Sequence, residues 1–245
     1  MKKKTALITG SSSGIGAAIA EKLSKQGHKV FITGRNEDRL IEQSQKYHVE
    51  GFIAGDLLDD DFYSKLFSSA IEKLGHVDIL VNNAGAYVWS PIEKTEKANI
   101  EQILKLNLQK PYELCKLVVP EMKKHKWGRI INIGSISGSV GEGNASLYSA
   151  SKAGLIGLTK SLALELAEFG ISVNIINPGW VKTAMTQDIF DNDILSESEQ
   201  LDMIPQKRWI EPSEIAALVN YLISDEAHGI TGQSINLCCG LSLGC

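Results

Sequence analysis

Apolar positions along this chain fall into short, β-branched runs separated by longer stretches with helical spacing. The runs are Ala6 to Thr9, Val30 to Thr33, Phe52 to Ala54, Ile79 to Val81, Ile130 to Ile133, Val173 to Ile176 and Ser234 to Leu237. Each is too short for a helix and rich in strand-favouring residues, so about seven strands are predicted. In the first intervening stretch Ile15, Ile19 and Leu23 recur at helical spacing and Gly27 closes the element. In a later one Leu155, Leu158, Leu162 and Leu166 line one face until Gly170. Such spacing gives a helix one apolar stripe, and a glycine just past it is a common stop. Strands separated by helices imply parallel pairing through crossovers. The predicted fold class is therefore α/β: a doubly wound parallel β-sheet with helices on both faces.

One segment departs from that alternation. Thr183 to Trp209 is polar, acidic in its middle and bounded by Pro178 and Pro212. A connection that long in a compact domain is uncommon and tends to serve function. Its place after the sixth strand predicts a substrate lid carrying short helices. At 245 residues with 43% apolar content the rest can bury one full core, so residues 1–245 are read as a single domain.

Charge and cysteine usage remove several function classes. The formal net charge is −4, and the lysine-rich stretches Lys2 to Lys4 and Lys123 to Lys126 are short enough to be solvated faces, so nucleic acid is not an expected partner. The apolar run after Lys4 is interrupted by Gly10 and Ser11 to Ser13, and no run of about 18 apolar residues occurs. A signal peptide and a membrane span are both unexpected, and a cytoplasmic location is predicted. Cys115, Cys238, Cys239 and Cys245 form neither a disulfide framework nor a zinc spacing, so structural or free thiols are expected. His28, His48, His76, His125 and His228 are scattered, and no catalytic metal is expected.

Ligands in doubly wound sheets bind beyond the carboxyl ends of the strands, and the polar motifs cluster there. They are Gly10 to Gly16 after the first strand, Gly34-Arg35 after the second, Asp56 after the third, Asn82 to Gly85 after the fourth, Ser135 after the fifth and Pro178-Gly179 after the sixth. Glycines at 10, 14 and 16 let backbone approach a pyrophosphate at the start of a helix, where unpaired N–H groups and the positive dipole end face it. An NAD-preferring chain offers an acid at the end of the second strand; here Arg35 can fork onto a 2′-phosphate. That predicts NADP(H) over NAD(H), with Asn36 capping the next helix and Glu37 and Asp38 in its first turn. The competing arrangement has Arg35 in solvent and one of those acids on the ribose. Tyr148 and Lys152 stand four apart, on one helix face at about 5–6 Å. An ammonium there lowers a phenol pKa from its usual value near 10 towards the working range of an acid-base catalyst. Taken singly, Asn107 and Asp56 could cap helices and Ser135 could be a turn residue.

The ordered set Thr9-Gly10-x-x-x-Gly14-x-Gly16, Asp56-Leu57, Asn82-Asn83-Ala84-Gly85, Asn107, Ser135, Tyr148-x-x-x-Lys152 and Pro178-Gly179-x-x-x-Thr183 resembles the compact, single-domain short-chain dehydrogenases/reductases over essentially the whole chain. The resemblance implies a Rossmann fold with Tyr148 as general acid/base, Ser135 as hydrogen-bond donor to a carbonyl, and Lys152 on the nicotinamide ribose. Asn107 would hold a relay water, Asp56 the adenine amino group, and Asn83 would lie along the adenosine ribose. Thr183 would meet the carboxamide or phosphates. Ser12, Ser13, Ile15, Leu57, Ala84, Gly85, Pro178, Gly179 and Val181 would complete the cofactor site.

Within the family, Ile204-Pro205-x-x-Arg208, Glu211-Pro212-x-Glu214-Ile215-Ala216 and Thr231-Gly232-Gln233 are similar to bacterial 3-oxoacyl-acyl-carrier-protein reductases. Departures are Ser13, where a basic residue is common, Cys239-Gly240, where Gly-Gly is usual, and Ala145-Ser146-Leu147, which replaces a polar triplet and suggests a more apolar pocket wall. Tyr87, Trp89 and Trp180 lie on loops at the same sheet edge. The implied activity is NADPH-dependent reduction of a ketone or 3-oxoacyl thioester, free or carrier-linked. A sugar or polyol dehydrogenase and a non-catalytic dinucleotide sensor are the alternatives. Small residues at Ala150, Ala153, Gly154, Gly157 and Ser161 allow close packing, and the resemblance implies that their helix and the one near Leu114 to Met122 build a two-fold interface within a homotetramer; the alternative is that they only let the helix approach its own sheet.

Overall fold

The computed structural model describes residues 3–191 and 194–244. Seven strands form one sheet: β1 (Thr5–Ile8), β2 (Lys29–Gly34), β3 (Gly51–Ala54), β4 (Ile79–Asn82), β5 (Gly128–Ile133), β6 (Ile171–Pro178) and β7 (Ser234–Leu237). All pair in parallel in the order β3-β2-β1-β4-β5-β6-β7. The seven apolar runs of the sequence are these strands. Extra polar ends, such as Asn177 and Pro178 of β6, are zipped in by neighbours although their side chains carry no apolar signal.

Strand side chains alternate between two cores, because successive residues point to opposite faces. Ile8, Ile32, Val81 and Ile133 face α1 (Gly14–Lys25), α2 (Glu37–Tyr47) and, late in the chain, α10 (Pro212–Leu222), through Ile19, Leu23, Leu40, Ile215 and Val219. Leu7, Phe31, Leu80 and Ile130 face α3 (Asp60–Leu74), α5 (Lys110–His125) and α7 (Ser146–Leu166), through Leu66, Leu114 and Leu162. Between these lie α4 (Lys97–Leu104), a wide π-turn (Lys105–Gln109) and the four-residue α6 (Ser137–Val140). The connection from β6 to α10 carries α8 (Ala184–Asp191) and α9 (Glu197–Met203), two short helices inside the segment expected to be a lid.

Caps explain the helix boundaries. Asn36 Oδ1 accepts from the Arg39 amide, with Glu37 and Asp38 in the first turn of α2. Asp59, not Asp56, caps α3, through the amides of Asp61 and Phe62. Gly27 and Gly170 have positive φ after α1 and after the turn that extends α7. At the sheet edge remote from the motifs, buried Asp78 ties Thr5, whose amide and hydroxyl both donate to Oδ2, a structural role. Among the described residues no helix is long and apolar enough to cross a membrane. Cys115, Cys238 and Cys239 are free and buried; Cys245 lies outside the described residues.

Candidate active site

A cleft of about 520 Å³ opens beyond the carboxyl ends of β1 to β5, where the strand order reverses on either side of β1. Gly10, Ser12, Ser13, Gly14 and Ile15 line it together with Gly34, Arg35, Asp56, Leu57, Asn83, Ala84, Gly85, Tyr148, Lys152 and Thr183. Close packing imposes the glycines. A Cβ on Gly16 would sit 2.4 Å from the Gly10 carbonyl oxygen, and Gly10 has φ +65, where a Cβ would sit 2.9 Å from the Ala84 α-carbon. The turn is clamped from β4: Asn83 Nδ2 donates to the carbonyls of Thr9 and Gly10, both at 2.9 Å, and Thr9 Oγ1 accepts from the amides of Asn83 and Ala84. Ser13, the residue before α1, makes no side-chain bond to the helix start, so its first amides face the cleft without a protein cap.

Arg35 lines the cleft from the end of β2, and Arg39, one turn on, lines it as well. Glu37 and Asp38 are outside the lining. Asp56 Oδ1 accepts from the Leu58 amide at 2.9 Å, holding the carboxylate at the cleft wall. A dinucleotide fits this end: a cradle that a Cβ would fill, uncapped helix amides for phosphate, and two guanidiniums. Arg39 went unnoticed in the sequence, although its i+4 spacing from Arg35 was a usable signal.

The other end holds side chains. Asn107 lies in the π-turn, where the Lys110 amide reaches back to the Lys105 carbonyl; such turns recur at functional sites. It caps no helix. Its Oδ1 accepts from the Ala86 amide, while Nδ2 donates to the Ala86 carbonyl and to Ser151 Oγ, which straps the β4 loop to α7. Lys152 Nζ donates to the Ile133 carbonyl at 2.9 Å and lies 5.6 Å from the centre of the Tyr148 ring. Burial lowers the Lys152 pKa to about 8. Burial also pushes Tyr148 up to about 12, against a Ser135 hydrogen bond that pulls it down, with the Glu142 charge adding to the rise. Desolvation, which disfavours the charged form of both groups, thus moves Tyr148 opposite to the depression expected from Lys152.

Ser135 follows β5 and shares a hydroxyl chain with Ser137 and Glu142. Tyr87 donates to Glu142 and packs edge to face on Tyr148, and burial raises its pKa. The sequence offered no signal for Ser137 or Glu142, because ordinary loop residues acquire meaning only from the contacts they make. Ala145 is buried, so of the two apolar residues expected on the pocket wall only Leu147 reaches accessible surface. Pro178 accepts at its carbonyl from Ile136 and pairs with Leu237, and the Gly179 amide donates to Leu237. Val181 bridges to Ile210. Trp180 stacks with Phe190 and Trp209, joining α8 to the segment before α10.

The comparisons with known proteins agree with this geometry. The family model described as short chain dehydrogenase matches residues 4–194. The chain is 39% identical over 239 residues to the 3-oxoacyl-[acyl-carrier-protein] reductase FabG of Buchnera aphidicola subsp. Schizaphis graminum, covering 97% of this chain and 96% of that protein. It is also 39% identical over 253 residues to the granaticin polyketide synthase putative ketoacyl reductase 1 of Streptomyces violaceoruber, covering 98% and 93%. Among solved structures, an actinorhodin polyketide ketoreductase variant with NADPH superposes with a TM-score of 0.93 at 36% identity, covering 98% of this chain and 97% of that one.

Proposed function

The chain belongs to the short-chain dehydrogenase family and is an oxidoreductase, and from that premise we propose that it reduces a ketone or 3-oxoacyl thioester with NADPH, using Tyr148 as the proton donor. The observation that carries this reading is the trio at one end of the cleft: a half-buried Tyr148 that keeps its proton, with Ser135 hydrogen-bonded to it and Lys152 beneath its ring. The NADPH-bound ketoreductase and the reductase relatives support the choice of cofactor and reaction.

At the dinucleotide end, Gly10 to Gly16 and the α1 amides would hold the pyrophosphate, Arg35 with Arg39 the 2′-phosphate, and Asp56 the adenine. Lys152 would meet the nicotinamide ribose, and Thr183 the phosphates or carboxamide. When bound, that cofactor supplies the hydride for the carbonyl carbon. Ser135 and Tyr148 bracket the carbonyl oxygen and fix its orientation. Charge developing on that oxygen makes it a stronger base than a phenolate of pKa about 12, so the Tyr148 proton moves downhill to it. Asn107 holds the β4 loop against α7 and so keeps the floor in place.

The segment 183–209 is the proposed lid. Ala150, Ala153, Gly157 and Ser161 face outward on α7, and nothing approaches a Cβ built on Gly157. This favours the homotetramer interface over close approach to the protein's own sheet. A panel of ketones, 3-oxoacyl thioesters, quinones and keto-sugars, scored by NADPH consumption, tests the function. Turnover of ketones or thioesters is expected; turnover of sugars alone would overturn the substrate class, and no turnover of any would overturn the reading.

A further inference from the structure

Glu142 stands in the loop between α6 and α7, and each of its carboxylate oxygens accepts one hydrogen bond. Ser137 Oγ donates to Oε2 at 2.7 Å, and the Tyr87 hydroxyl donates to Oε1 at 2.6 Å. Each donor leads on to a group beside the carbonyl. Ser135 Oγ donates to Ser137 Oγ at 3.0 Å, and the Ser137 amide donates back to Ser135 Oγ at 3.2 Å. The Tyr87 ring meets the Tyr148 ring at 76°, with centroids 5.0 Å apart. One carboxylate therefore joins the loop after β4, the turn after β5 and the loop before α7.

We propose that Glu142 is a positioning residue: it anchors Ser137, whose amide holds Ser135 Oγ while the Ser135 hydroxyl turns from Ser137 to the substrate, and it holds Tyr148 through Tyr87, so that both meet one carbonyl oxygen. The proposal rests on the reading of Tyr148 as proton donor. A carboxylate suits the task because it only accepts, and both of its oxygens are needed here. An amide has one acceptor and would drop one arm. The ionisable groups acting on Tyr148 are Glu142 from the preceding loop, Tyr87 from the loop after β4 and Lys152 from its own helix. The Glu142 charge also raises the Tyr148 pKa and so keeps the proton on the phenol.

The test measures kcat, KM, NADPH affinity and the pH profile of carbonyl reduction in Glu142→Gln beside Tyr148→Phe. Loss of one charge-assisted bond predicts a fall in kcat of about tenfold or more, with NADPH affinity within about twofold of wild type. The alkaline limb, where the phenol loses its proton, should move to lower pH. Wild-type kcat with an unmoved limb overturns the proposal, and so does a lower kcat with an unmoved limb, which marks a merely structural residue. Should Glu142→Gln fail to fold, Tyr87→Phe and Ser137→Ala each remove one arm. Each is expected to lower kcat several-fold, and wild-type kcat in both overturns the proposal. An active Tyr148→Phe instead overturns the proton-donor reading itself.

Discussion

At the β1 to β3 end of the cleft the protein offers backbone: the Gly10 to Gly16 turn, the amides at the start of α1, and carbonyls clamped by Asn83. At the β5 and α7 end it offers side chains, with Tyr148 half-buried, Lys152 buried and their pKa values displaced in opposite directions. The first end is shaped by what a Cβ would hit, and no ionisation is needed to keep it. The second depends on which of several buried groups holds a proton. Substitutions at the two ends should therefore fail differently.

The largest expected effect is at the side-chain end. Tyr148→Phe keeps the ring and its packing on Tyr87 but removes the proton, so turnover should fall by about 10²–10⁴. Steady-state rates of NADPH consumption check it.

How much of this contrast was legible in the sequence follows from the same physics. Glycine spacing reports backbone geometry directly, so Gly10, Gly14, Gly16 and the strand ends could be placed from their order alone. Tyr148 and Lys152 were found by helical spacing, and Ser135 by its place after a strand. The direction of the Tyr148 shift was not legible, because desolvation depends on how completely α7 packs over β5. Glu142 and Ser137 gave no signal for the same reason. Asp56 resembled a helix cap in sequence, yet Asp59 takes that role because the chain makes one further turn, with the Asp59 amide bonded to the Asp56 carbonyl.

A smaller effect is expected at the backbone end, where Arg35 adds charge to a site already shaped by glycines. Arg35→Asp removes the phosphate fork and adds repulsion, so kcat/KM with NADPH should fall about tenfold or more, and far less with NADH. A wild-type enzyme that turns over NADH better than NADPH would break the assignment of this end.

The smallest effect is on stability. Lys152 has its folded pKa lowered from 10.5 to about 8, so below pH 8 the folded protein bears the full cost of a buried ammonium, and above about 10.5 it bears none. In the cofactor-free protein Lys152→Met should therefore raise Tm by a few degrees at pH 7, and the gain should shrink as pH rises from 8 to 10.5. Thermal melts across that range check both the sign and the window.

The central claim is that binding and proton transfer are carried by different ends of one cleft. Titration of NADPH into Tyr148→Phe, followed by nucleotide fluorescence beside Gly16→Val, tests it most directly. Tyr148→Phe should bind NADPH as wild type does while its turnover is gone, and Gly16→Val, whose side chain would collide with the Gly10 carbonyl, should lose binding. NADPH affinity lost in Tyr148→Phe and kept in Gly16→Val would contradict it.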